Sequence, residues 1–313
     1  MSRTVFVLGS FVADVAFRTS RLPGWGETLM GSSFALGPGG KGSNQAVAAA
    51  RAGAQVKMAC KLGDDAFGQL ARKTWADAGI DASLTRNGDT ATGAAAILID
   101  EVRGENGIIV VPGACFTITA EEVNAMADAI RSSHIFLTQL EMPVAIVELG
   151  MKIARDAGVT TILNPAPAPP APLPDSLLAL ADYVVPNESE AAILTGLPVE
   201  TIEQAERAAV ALQQRGARNV ILTLGARGAL VRTADGDSTI VDAFNAGAVV
   251  ETTGAGDAFC GGFAAALAED MPLLDAVRFG CATAGISVTR PGTAPSMPGR
   301  AEIDALLARV SST

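Results

Sequence analysis

The sequence is short of the side chains that most metal and redox chemistry uses. It has one histidine, His134, and no HExxH stretch, which excludes a His-based zinc centre. His134 stands just before the apolar run Ile135-Phe136-Leu137, where a structural role is expected. The four cysteines, Cys60, Cys115, Cys260 and Cys281, lie far apart with no CxxC pair. They read as buried free thiols in a reducing compartment. Positive charge is the scarcer sign, with 23 Lys and Arg against 33 Asp and Glu and a net charge of −10. No basic run offsets this, so no nucleic-acid partner is expected. No apolar run is long enough to span a bilayer, and Met1-Ser2-Arg3-Thr4 leads into a strand without a signal-peptide core. A cytoplasmic protein with no membrane partner is the expectation. Aromatics make up only 4%, leaving a core of Ala, Val, Leu and Gly that suits helices packed closely on a sheet. No repeat of 20–50 residues is evident.

What is present is a long apolar chain: 313 residues, 49% hydrophobic and 18% charged. Val5 to Gly9 reads as a buried first strand, and Phe11 to Phe17 continues strand-like with Asp14 among apolar neighbours. Thr28 to Leu36 is a second extended piece, and Ser43 to Ala52 a helix stopped by Gly53. Strands and helices then alternate. Val56 to Leu62 is a strand, Ala66 to Ala78 a helix, Ala120 to Ser132 a helix, and Ile135 to Leu140 a strand. Ala94 to Asp100 and Gly107 to Val111 form a hairpin. Asn164 to Pro170 is too proline-rich for regular structure. The alternation predicts an α/β fold, a mostly parallel sheet with helices on both faces. Segments near 11–36 and 92–112 break the rhythm and read as a small separate sheet, a discontinuous lid on a single domain covering 1–313.

Three stretches carry chemistry. Glu251-Thr252-Thr253-Gly254-Ala255-Gly256-Asp257-Ala258-Phe259 opens a helical run. Glycines let the backbone turn, and the free N–H groups of a helix start form an anion site. A carboxylate placed there, Asp257, fits a base beside a transferring phosphoryl group, or simply a helix cap. Gly37-Pro38-Gly39-Gly40-Lys41-Gly42 matches GxGxxG by letter. A dinucleotide fingerprint belongs in the first βα turn, and this loop comes too late for one. The competing NAD-dependent oxidoreductase reading rests on that match alone. The better reading brings backbone N–H groups, Lys41 and Asn44 against a polyhydroxyl ligand. A Walker A loop is absent, because Gly42 follows Lys41 and Ala35 stands where its first Gly belongs. Asn187-Glu188-Ser189-Glu190 is a capping box, and the same Asn187 and Glu190 could orient water around Mg²⁺. Both readings can hold.

Taken together, Gly39-Gly40-Lys41-Gly42-Ser43-Asn44-Gln45-Ala46 and Thr253-Gly254-Ala255-Gly256-Asp257-Ala258-Phe259 resemble the two signatures of the ribokinase-like (PfkB) carbohydrate kinases. Gln139-Leu140-Glu141, Asn164-Pro165-Ala166-Pro167-Ala168, Pro186 to Glu190, Thr223 to Gly228 and Val288 to Ser296 fill the intervening positions in order. The resemblance covers about residues 4–309. It implies a doubly wound α/β domain with a small β lid that also forms a homodimer contact. It implies transfer of the ATP γ-phosphate to a primary sugar hydroxyl, with ribose to ribose 5-phosphate as the leading reaction. Asp257 then corresponds to the base, and Gly254, Ala255 and Gly256 to the anion hole. Asp14, Gly40, Lys41, Asn44 and Glu141 correspond to sugar contacts. Asn187, Thr223, Gly225, Gly228 and Gly256 fall on the nucleotide side, with Glu190 near Mg²⁺ through water. Glu251, Thr253, Ser287, Arg290, Gly292 and Ser296 correspond to a loop for an activating K⁺, held largely through carbonyls.

Two positions depart from the family pattern. Val12 stands where a sugar-contacting amide is usual, which leaves a deoxypentose or another small polyol open as substrate. Glu251 stands where Asp is usual, which bears on the cation preference.

Overall fold

The structure is a computed structural model and describes residues 4–169 and 171–310. Pro170 of the proline-rich connector and Met1-Ser2-Arg3 lie outside the described residues. The chain opens with β1 (Thr4–Leu8), β2 (Val12–Thr19) and β3 (Ser33–Gly39), then α1 (Lys41–Arg51). There follow β4 (Gln55–Ala59), β5 (Lys61–Gly63), α2 (Ala66–Asp77), β6 (Arg86–Gly88), β7 (Thr92–Asp100) and β8 (Glu105–Gly113). The middle of the chain runs α3 (Ala120–Asn124), α4 (Ala127–Arg131), β9 (Ile135–Thr138), α5 (Val144–Asp156), β10 (Thr160–Leu163), α6 (Asp175–Ala179) and β11 (Tyr183–Val184). The last third holds α7 (Glu188–Thr195), α8 (Ile202–Gln214), β12 (Asn219–Thr223), β13 (Ala229–Arg232), β14 (Ser238–Val241), α9 (Ala255–Ala268), α10 (Leu273–Ser287) and α11 (Arg300–Val310).

The main sheet has eight strands in the order β14-β13-β12-β11-β10-β9-β1-β4. From β12 to β4 every neighbour is parallel, and β13 and β14 add an antiparallel edge. Strands buried on both faces must be apolar at every position rather than at alternate ones. β1 shows this directly. Val5 and Val7 point into one core with residues of α1, α9 and α10, while Phe6 and Leu8 point into a second core with residues of α5 and α8. Helices therefore cover both faces, as the alternation predicts. No helix among the described residues is long and apolar enough to cross a membrane. All four cysteines are buried and unpaired.

A separate sheet, β3-β2-β7-β8, stands beside the main one. Its two antiparallel pairs join through a parallel contact between β2 and β7. Pro38 and the flanking Gly37 and Gly39 belong to β3 itself, opposite β2. An edge strand tolerates a proline that cannot donate to the ladder. This corrects the expected extended piece at 28–36, which starts at Ser33 and runs on to Gly39.

Two other elements differ from expectation. The apolar run Val56 to Leu62 is two strands split at Cys60, and β5 leaves the main sheet to pair with β6. The helix expected over 120–132 is α3 and α4, because Met126 N–H bonds to Val123 rather than one residue further back. The dinucleotide context fails outright, since β1 leads into β2 and not into a helix.

Candidate active site

The carboxyl ends of the parallel strands form one edge of the main sheet, the edge where open α/β sheets hold ligands. Ser10 follows β1, Thr138 ends β9, Asn164 follows β10, Asn187 follows β11 and Thr223 ends β12. The starts of α1 and α9 meet there. A cavity of about 200 Å³ opens between them, lined by Lys41, Asn164, Asn187, Glu190, Thr223, Gly254, Gly256, Asp257 and Cys260.

Helix α9 begins at Gly254, whose φ of 83° lies in the left-handed region that glycine enters at low cost. No side chain caps this helix. Ala255 N–H is spent on Thr252 O at 3.1 Å, which leaves the Gly256 and Asp257 amides at the cavity wall, where the helix dipole adds partial positive charge. Asp257, in that first turn, is buried, with 7% of its surface exposed. Its carboxylate is gripped on both oxygens. Asn44 Nδ2 donates to Oδ2 at 3.0 Å, and Gln45 Nε2 donates to Oδ1 at 2.9 Å. Each oxygen keeps a lone pair, so the group can still accept a proton from a hydroxyl while the adjacent amides hold an anion.

Across from it, Glu141 Oε2 accepts from the Ser10 hydroxyl and from Lys41 N–H, the latter at 2.8 Å. Burial raises the Glu141 pKa against the pull of Lys41. Burial also works against the Lys41 ammonium, but the negative charges of Asp257, Glu141 and Glu190 outweigh it and raise its pKa. Asp14 is pushed up to about 6, first by burial and then by the charges of Glu141, Asp257 and Glu251. Gly39 makes room for it, because a Cβ there would lie 2.2 Å from Asp14 Oδ2. Asn44 Oδ1 is buried without a hydrogen-bond partner, an acceptor aimed at nothing in the protein.

The capping box is present at the start of α7. Asn187 accepts from Glu190 N–H at 2.8 Å, and Glu190 Oε2 accepts from Asn187 N–H at 2.8 Å. Both side chains also line the cavity, and burial raises the Glu190 pKa. The segment around Glu251 lies against the chain after α10. Glu251 Oε2 accepts from Gly292 N–H at 2.8 Å, and the N–H groups of Val250 and Glu251 bond to Val288 O. The Ser287 and Ser296 hydroxyls bond to carbonyls of their own turns, and Arg290 pairs with Glu302. Gly225 and Gly228 lie in the turn after Thr223 and do not line the cavity.

Four polar groups here escaped the sequence reading as site residues: Gln45, Gln139, Asn164 and Cys260. Gln45 and Asn164 join Asp257 through one amide, since Gln45 Nε2 also donates to Asn164 Oδ1 at 3.0 Å. Gln45 adjoins Asn44 and Gln139 shares a stretch with Glu141, whereas Asn164 and Cys260 adjoin no expected site residue.

A doubly wound sheet with an uncapped helix start and a buried carboxylate at its carboxyl edge, and a second small sheet beside the site, fits a phosphotransferase of the sugar-kinase class. The chain belongs to the pfkB family of carbohydrate kinases, whose sequence profile matches residues 2–300. It is 41% identical over 303 residues to the ribokinase of Haemophilus influenzae, covering 96% of this chain and 97% of that one. It is 36% identical over 295 residues to the deoxyribokinase of Salmonella typhi, covering 94% and 95%. The structure of Arabidopsis thaliana ribokinase complexed with ribose and ATP superposes with a TM-score of 0.92 at 32% identity, covering 98% of this chain and 99% of that one.

Proposed function

We propose that the chain transfers the γ-phosphate of ATP to the primary hydroxyl of a small sugar, with ribose to ribose 5-phosphate as the leading reaction. The observation that carries this is the buried Asp257 carboxylate at the uncapped start of α9. In the proposed step the hydroxyl oxygen bonds to the γ-phosphorus as its bond to ADP breaks, and the hydroxyl proton passes to Asp257. The Gly254-Ala255-Gly256 turn stabilises the charge on the transferring group, through Gly256 N–H rather than the Ala255 N–H that Thr252 O holds. Asp14, Gly40, Lys41, Asn44 and Glu141 hold the sugar, and the unpartnered Asn44 Oδ1 supports that role. Asn187, Thr223, Gly225, Gly228 and Gly256 make up the nucleotide side.

Among the described residues no cluster of three or more His, Cys, Asp or Glu could cage a metal ion. Glu190 and Asn187 fit instead a magnesium ion that keeps water and phosphate as most of its ligands, supplying charge neutralisation to the phosphates. For K⁺, the loop of Glu251, Thr253, Ser287, Arg290, Gly292 and Ser296 would act through backbone carbonyls, since the Glu251, Ser287, Ser296 and Arg290 side chains have partners inside the protein. The four buried thiols support a reducing, cytoplasmic setting, which cell fractionation tests. The small sheet is read as a lid and as the contact of a homodimer.

A second substrate reading has its own observation. Val12 is 5% exposed, shares a strand face with Asp14, and belongs to neither apolar core. It offers methyl groups where a sugar hydroxyl needs a partner, which favours a deoxypentose. An ATP–Mg²⁺ assay over pentoses, deoxypentoses, hexoses and nucleosides decides between the two. In the same assay Asp257→Asn should lose about 10²–10⁴-fold in kcat with little change in sugar affinity. Near wild-type kcat in that variant would remove Asp257 as the base. Rates in K⁺ should exceed those in Na⁺ or a large organic cation, and equal rates in all three would remove the cation loop.

A further inference from the structure

Asp257 is held by more than its two direct partners. Gln139 Nε2 donates to Gln45 Oε1 at 2.7 Å. Gln45 Nε2 spends one hydrogen on Asp257 Oδ1 and the other on Asn164 Oδ1. Asn164 Nδ2 donates onward to Val185 O at 2.8 Å. The direction of every amide in this row is determined. Turning Gln45 over would set its oxygen against two acceptors, and turning Gln139 over would set oxygen against oxygen. Gln45 and Gln139 are 0% and 1% exposed.

Such a row is not what stability alone selects. Gln139 Oε1 and the neighbouring Thr138 Oγ1 are buried with no protein partner, and with Asn44 Oδ1 they are the only such side-chain atoms among the described residues. Unsatisfied polar atoms oppose folding, and an apolar core at these positions avoids that cost. The packing of α1 on α9 is also adjusted for close approach. A Cβ on Gly261 would lie 2.4 Å from Ala48 Cβ and 2.5 Å from Gln45 O, so a glycine one turn beyond Asp257 is what admits Gln45.

We propose that Gln45, oriented by Gln139, is a positioning residue that fixes the Asp257 carboxylate for proton transfer. This rests on the reading of Asp257 as base. A carboxylate held on one oxygen by Asn44 alone can rotate about its side-chain torsion, and misplacement of about 1 Å costs on the order of 10²-fold in rate.

The test is steady-state kinetics on Gln45→Met, Gln45→Glu, Gln139→Met and Asp257→Asn, each with its melting temperature. Gln45→Met should lower kcat by about 10²-fold while KM for the sugar moves less than about threefold. Gln45→Glu keeps the shape but replaces the donor with a charge. Its activity relative to wild type should be low at pH 8 and recover as pH falls and the new carboxyl becomes a donor. Gln139→Met should lower kcat by about tenfold, and it decides the matter if the Gln45 variants fail to fold. The proposal is overturned if the folded variants keep kcat within threefold, if KM carries the whole effect, or if Gln45→Glu shows no recovery. If those results come with an inactive Asp257→Asn, only the positioning role falls. If Asp257→Asn is active, the reading of the base falls first.

Discussion

At the scale of single residues, Asp14 carries a measurable consequence of its surroundings. Burial, then Glu141, Asp257 and Glu251, raise its carboxyl from the usual 3.8 to about 6. At low pH the group is protonated in both folded and unfolded chain, and the fold carries no penalty. As pH rises from 3.8 towards 6 the unfolded chain releases its proton first, so stability falls; above 6 the loss is complete, roughly 2–3 kcal/mol. Asp14→Asn should therefore melt higher than wild type at pH 7.5, with the difference gone near pH 4, and it should bind the sugar more weakly. An equal melting temperature at pH 7.5 would show that the ionised group is not penalised. Asp14 also shows the limit of reading residues in a row. Its place among apolar neighbours fits an exposed edge position as well as a site, and only the folded sheet sets Gly39 beside it to leave space for its carboxylate. Asp257, Asn44 and Lys41 were legible because glycines surround them and imply a ligand. Gln139 and Asn164 were not, because their roles come from strand ends 119 residues or fewer from Gln45 in sequence that meet only in the folded sheet.

At the scale of elements, α7 shows a capping box on the two side chains that are also proposed to serve Mg²⁺, and one substitution separates the two tasks. Gln at position 190 keeps an oxygen for Asn187 N–H, so the cap survives, while the charge that burial penalises is gone. Glu190→Gln should therefore melt within about 2 °C of wild type or above it. Its half-saturation for Mg²⁺ should rise several-fold. A clear fall in melting temperature with unchanged Mg²⁺ dependence would leave Glu190 as a cap alone. The capping box was legible because it is a local pattern, as was the βα alternation. The break at Cys60 was not. Apolar residues continue through it, from the buried Met58 and Ala59 to the buried Leu62, and composition does not record that the chain changes sheets there. The pairing of β2 with β7 is a contact across about 80 residues of sequence, the kind that periodicity cannot supply.

At the scale of the whole molecule, the small sheet buries Val12, Ala13 and Ala95 but leaves larger apolar side chains uncovered on both faces. Phe17 and Phe34 pack at 5.3 Å between ring centroids, and both are exposed, with Ile109 on the same face. Ile108 and Val110, on the face that carries Asp14, are each more than half exposed. A contiguous apolar patch of this kind on an otherwise charged protein of net charge −10 marks a protein contact. For the proposed homodimer, two such sheets would bury their like apolar faces against each other with closed two-fold symmetry. A stable contact of that kind removes on the order of 1,200–2,000 Å² from water. Sedimentation at about 10 µM should then give a dimer, a concentration at which a contact of that size with a sub-micromolar Kd is saturated. Phe34→Asp with Ile109→Asp charges one face, and Ile108→Asp with Val110→Asp charges the other. The pair that sits in the contact should give monomers while the main sheet keeps its melting temperature, since the substituted side chains are exposed and belong to neither core. The Asp14 face is also the one that approaches the sugar site, so dissociation by Ile108→Asp and Val110→Asp should raise KM for the sugar, whereas dissociation by the other pair should leave it nearly unchanged. A wild-type chain that sediments as a monomer, or a dimer that survives both pairs, removes the small sheet as the contact.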